Sequence, residues 1–97
     1  MIKYLAEFVG TFILLFVIFR SSAKSAPFPA MAPLLVACAA TVAGVVFAEA
    51  SGGHLNPAVS IAMFMNKSLE MSDLAPYIAA QIMGAVAAWA TCEQLKR

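Results

Sequence analysis

Apolar runs of near-constant length alternate with short polar joints along this chain. The first run, YLAEFVGTFILLFVIF (4–19), follows Lys3 and precedes Arg20 and Lys24. With Lys3 and Arg20 snorkelling at its ends, it is close to the roughly 20 residues a helix needs to cross a bilayer core. A second run extends from Ala30 to Ala50 and is uncharged until Glu49. A third, LAPYIAAQIMGAVAAWATC (74–92), ends in Glu93, Gln94, Lys96 and Arg97. Between the second and third lies a shorter pattern, in which SGGHLNPAVS (51–60) leads into an apolar stretch ending at Met65 and the polar segment NKSLEMSD (66–73). Nine residues from Pro57 to Met65 make roughly 14 Å of helix. That is about half of a 30 Å hydrocarbon core. The pattern predicts an all-α integral membrane chain with spans at about 3–20, 30–50 and 73–92. A re-entrant loop and half-helix over 51–66 precede the last span.

The joints and faces add detail. SSAKSAPFPAMAP (21–33) carries Pro27, Pro29 and Pro33, which stiffen a loop and mark the start of the next helix. Ala40, Gly44 and Ala48 recur every four residues, as do Ala80, Gly84 and Ala88. Such ridges of small residues let helix backbones approach closely in lipid. Trp89 falls at a depth suited to an interfacial aromatic. A basic start, a short apolar run and Ser21-Ser22-Ala23 also fit a secretory signal peptide. Glu7 argues against it, because a carboxylate in that apolar core is costly and has no use there.

Composition agrees with a lipid-facing surface. Of 97 residues, 63% are hydrophobic and 11% are charged, and the mean hydropathy is +0.89. A soluble domain carries about 25% charged residues, and a small one exposes the most surface per residue. Six Lys and Arg without a cluster indicate no nucleic-acid partner. Cys38 and Cys92 lie within apolar runs and suggest neither a disulfide framework nor metal spacing. No cofactor, metal site or enzymatic constellation is expected.

The polar run at 51–60 requires a reason, because non-helical backbone at membrane depth survives only inside protein or along a wet cavity. Gly52 and Gly53 permit the dihedrals that turn the chain within the bilayer. Pro57 suits the first helical turn, and Asn56 then becomes the N-cap. The half-helix would aim its positive dipole end at the bilayer middle. Carbonyls of Gly52, Gly53 and His54 would offer acceptors and the Asn56 amide a donor. Together they suit a single file of small neutral hydrogen-bonding molecules, and the positive field opposes cations and protons.

SGGHLNPAVS closely resembles the first signature loop of the aquaporin and glycerol-facilitator (major intrinsic protein) family. AEFVGTFILLF (6–16) is similar to that family's first helix and YIAAQIMGAVAA (77–88) to its third. The resemblance implies half of a six-helix bundle built from two inverted repeats, with two Asn-Pro-Ala motifs meeting at the midplane. It implies that Asn56 donates to permeating water, and that Pro57 and Ala58 form the half-helix tip. Gly52, Gly53 and His54 would supply carbonyls along the pore. Glu7 would be the buried carboxylate bracing the loop, in keeping with the usual pairing of intramembrane charges. Gln81 would make a polar contact between helices near the loop.

The chain also departs from the family pattern. It matches the first repeat only, and three spans with one half-helix cannot enclose a pore. Val59 stands where the second family signature places an arginine that repels cations. Val36 stands at a position that is aromatic in many relatives and helps set pore width. Glu49 stands where relatives often carry histidine, and would line a vestibule or lie at the interface. Lys3 and Lys67 fall on one side of the membrane; Arg20, Lys24, Lys96 and Arg97 fall on the other. By the positive-inside rule this puts the N-terminus outside, whereas the family has it in the cytoplasm. An antiparallel pair of copies would reproduce the inverted repeat. Three functions therefore stay open for a multi-pass protein of the cell membrane. One is a channel half that passes water or small neutral solutes after pairing with another copy or a complementary half. The second is a non-conducting membrane interaction module, and the third a truncated piece of a full-length channel.

Overall fold

A computed structural model describes residues 1–96 of the chain. Arg97, counted above among the cations of one end, lies outside them. All regular structure among the described residues is helical. Helix α1 spans Ile2–Ser21, a 3₁₀ turn covers Pro29–Met31, and α2 spans Ala32–Val46. A single turn, α3 (Ala48–Ser51), precedes the loop; α4 (Pro57–Met65) and α5 (Met71–Leu95) complete the chain. Three stretches are long and apolar enough to cross a membrane: Ile2–Ser21, Pro29–Val46 and Met71–Leu95. The long dimension of 42 Å matches a bilayer with its headgroups, about 40–45 Å.

Helix α1 is the central element and packs on α2, α3 and α5. Its contact with α5 is nearly backbone on backbone, because Gly84 leaves no room there. A Cβ at Gly84 would lie 2.5 Å from the Phe8 carbonyl oxygen and 3.2 Å from the Phe12 nitrogen. Ala80 and Ala88, one turn to either side, are buried with it. In lipid no hydrophobic force drives helices together, so this close van der Waals fit holds the pair.

The other small-residue ridge serves a different purpose from the expected helix–helix seam. Gly44 faces the loop, where a Cβ on Gly53 would lie 2.8 Å from the Gly44 carbonyl oxygen. Ala48 is exposed, because α2 stops short of it. The second span was expected to run from 30 to 50, but its helix breaks at Phe47 (φ −99°, ψ 7°). Backbone bonding bridges the break, from the Phe47 N–H to Ala43 and from the Ser51 N–H to Phe47. The Phe47 ring packs over Gly10 of α1, and the redirected turn α3 carries Ser51 into the core.

At its start, α5 extends past the expected boundary. The polar segment 66–73 is not all surface, since Asp73 lies in the first turn of α5 and is buried. Its carboxylate pairs with Lys3 Nζ at 2.9 Å and accepts a hydrogen bond from the Tyr4 hydroxyl at 2.7 Å. Lys3 therefore does more than reach toward water; it ties the start of α1 to the start of α5. Both cysteines are free, Cys38 exposed and Cys92 buried.

Candidate functional site

The loop between α3 and α4 is built on an unusual backbone. Gly52 and Gly53 have φ of 88° and 61°, and Leu55 has φ of 62°. An L residue pays strain there, of order 1 kcal/mol or more, and what keeps Leu55 in place is burial. Its side chain is 5% exposed and sits directly on Gly10 of α1. Asn56 then returns to extended backbone and caps α4, its Oδ1 accepting from the Ala58 N–H at 2.8 Å. Pro57 occupies the first helical position, where a missing N–H costs nothing.

One carboxylate gathers this loop from behind. Glu7, 0% exposed, accepts from the His54 N–H at 3.0 Å and the Ser51 hydroxyl at 2.5 Å through Oε2. Through Oε1 it accepts from the Leu55 N–H at 2.8 Å and the Gln81 amide at 2.8 Å. Each oxygen thus takes two donors, the acceptor-only pattern of a carboxylate. Two of those donors are successive loop N–H groups that no helix or sheet would otherwise satisfy in lipid.

A second tier of bonds ties the loop to α5. Gln81 Nε2 also lies 2.8 Å from Ser60 Oγ, and Ser60 Oγ lies 2.9 Å from His54 Nδ1. The His54 ring packs against Tyr77 at 5.2 Å between centroids. The Tyr77 hydroxyl donates to the Ser51 carbonyl at 2.7 Å. Ser51, Ser60 and Tyr77 received no role from the sequence. Their signal was present for Ser51 and Ser60, single hydroxyls beside or within an apolar half-helix. Tyr77 gave none, because its partner is 26 residues away.

This network makes a direct expectation for Ser60→Ala. The substitution leaves His54 Nδ1 and one Gln81 N–H buried without their partner, at about 1–3 kcal/mol. Unfolding of the purified protein in mixed micelles should shift accordingly. A change below about 0.5 kcal/mol would show that the hydroxyl is dispensable.

The arrangement has two sides. His54, Leu55 and Ser60 turn inward, whereas Gly52, Asn56, Ala58 and Val59 are exposed on one face, with Gly53 and Pro57 partly covered. No donor among the described residues reaches the carbonyls of Gly52, Gly53 or His54. The face therefore offers acceptors from the loop and the Asn56 amide at the positive end of a nine-residue helix. Glu49, on α3, is exposed. Val36 is not brought to this cluster; it lines a shallow groove with Ile18, Ser22 and Ala40 toward the other end of α1.

Comparison with known proteins identifies the family. The family model described as "Major intrinsic protein" matches residues 1–97. A "Glycerol uptake facilitator protein-like 6" of Lactiplantibacillus plantarum is 42% identical over 86 residues, covering 89% of this chain and 40% of its own length. An "Aquaporin Z" of Rhodopseudomonas palustris is 40% identical over 92 residues, covering 89% of this chain and 38% of its own length. An "Aquaporin Z" of Brucella melitensis is 40% identical over 92 residues, again covering 89% of this chain and 40% of its own length. The chain thus spans about two fifths of the length of the curated relatives it matches. No solved structure matches it. With that match over residues 1–97 and three membrane-length helices, the chain belongs to the major intrinsic protein family of integral membrane channels.

Proposed function

We propose that this chain forms one half of a passive channel of the cell membrane for water or small neutral solutes. A second inverted half, from another copy or a separate chain, completes the pore. The observation that carries this reading is the two-sided loop. Its polar tip at Asn56 is exposed at mid-bundle while Glu7, Gln81 and Tyr77 anchor it from behind. A polar tip facing hydrocarbon would be left unsatisfied, so the face calls for a wet cavity walled by a partner. Asn56 donates to the passing molecule, the carbonyls of Gly52, Gly53 and His54 accept from it, and Pro57 and Ala58 shape the tip. Val36 borders the mouth, and its modest size leaves that mouth wide. No bond is made or broken. The half-helix dipole disfavours cations, but Val59 supplies no fixed positive charge, so a pore made only of this chain discriminates poorly against ions.

Proteoliposomes of the purified chain are expected to shrink faster under osmotic shock in stopped-flow light scattering than empty vesicles of the same lipid. Equal rates would sink the homomeric channel. Native mass spectrometry then separates the partners. Complexes between copies support the self-paired channel, whereas complexes only with full-length relatives point to a non-conducting interaction module.

A further inference from the structure

Arg20, thirteen residues and about 20 Å along α1 from Glu7, borders two hollows at once. On one side an apolar groove of about 550 Å³ runs between α1 and α2, walled by Ile13, Phe16, Phe28, Leu35 and Val42. On the other side a cavity of about 580 Å³ lies between the ends of α1 and α5. Arg20, Lys24 and Lys96 border that cavity together with Glu93 and Trp89. Lys96 is ion-paired with Glu93 at 3.0 Å. Among the described residues Arg20 and Lys24 have no acidic partner. Three cations and one carboxylate leave the cavity at +2, and Trp89, 54% exposed, marks the level of the headgroups.

We propose that this end of the bundle binds one anionic phospholipid, its phosphate on Arg20 and Lys24 and an acyl chain in the α1–α2 groove. The shared residue is what selects an amphiphile. A free anion would use the cavity and leave the groove empty; an apolar molecule would use the groove and leave the cations unpaired. A zwitterionic headgroup would bring a further cation into a cavity already at +2, so the net charge favours a lipid such as phosphatidylglycerol. The site shares no residue with the 51–60 loop and stands or falls independently of the channel reading.

The test is native mass spectrometry of the full chain in neutral detergent, titrated separately with phosphatidylglycerol, phosphatidylcholine and inorganic phosphate. One phosphatidylglycerol is expected to bind in preference to the other two. Arg20→Gln and Lys24→Gln should each weaken it about fivefold. Lys67→Asn, which removes a cation from the opposite end, should leave it unchanged. Leu35→Trp, which fills the groove without altering charge, should also weaken it. Equal affinity for phosphatidylcholine, equal retention of inorganic phosphate, or insensitivity to Arg20→Gln and Lys24→Gln would each overturn the assignment. Binding unaffected by Leu35→Trp would overturn it as well.

Discussion

Glu7→Gln is expected to destabilise the chain by about 3 kcal/mol and to abolish any permeability it supports. The substitution preserves shape and volume, so the loss reports hydrogen bonding and charge alone. Four donors converge on the two carboxylate oxygens, and a glutamine presents one oxygen and one NH₂ group. Turned toward Leu55 and Gln81, the NH₂ would meet a backbone N–H and a second amide NH₂. Turned the other way it would meet the His54 N–H, and only the Ser51 hydroxyl could reverse to accept. In either orientation a loop N–H is left facing a donor in a site closed to water. Equilibrium unfolding in mixed micelles, followed by far-ultraviolet circular dichroism, measures the loss. A destabilisation under about 0.5 kcal/mol would mean that the loop holds itself without the carboxylate.

Gly53→Ala is the second large effect, expected at about 3 kcal/mol or more. Two independent costs coincide at this position. Its φ of 61° lies in the left-handed region that L residues rarely adopt. A Cβ there would also stand 2.8 Å from the Gly44 oxygen and 2.9 Å from the Gly44 Cα. Both neighbours are backbone, so no side chain can swing aside, and α2 or the loop must shift. Gly52→Ala provides the comparison. It shares the positive φ, but its Cβ would meet only the His54 ring, at 3.1 Å. The same micelle titration should rank Gly53→Ala below Gly52→Ala in stability. The reverse order would refute the backbone clash as the dominant cost.

Much of this architecture was legible because membrane spans are written in run length. Three apolar runs and one half-length run give three spanning helices and α4, and Asn-Pro marks its start through a local capping rule. The end of the second span was not legible. AGVVFAEA carries no proline and no polar residue before Glu49, so nothing in it distinguishes a helix running to residue 50 from one that turns at Phe47. The cause of the turn is tertiary, the Phe47 ring over Gly10. Glu7 announced itself as a charge in an oily run, and its loop partners were expected from the family resemblance. The pairings of Lys3 with Asp73 and of Tyr77 with Ser51 were invisible, because they depend on the rotational phase of α1 and α5. Leu55 was also missed. A leucine in a polar loop carries no mark of a left-handed backbone, and only its seat on Gly10 makes that conformation tolerable.

The division of the loop's anchors between α1 and α5 sets an order of events during synthesis. Glu7 is made before the loop, but the Ser60–Gln81 and Ser51–Tyr77 bonds span 21 and 26 residues. When Asn56 leaves the ribosome, the groups that secure its loop from the α5 side, Tyr77 and Gln81, are still inside the exit tunnel. Until α5 arrives, the Ser51 carbonyl and the Ser60 hydroxyl lack their α5 partners, and bare lipid offers none. The loop is therefore fully anchored only once α5 is in place. A nick between residues 66 and 76 would leave two inserted helices and a loop held by Glu7 alone.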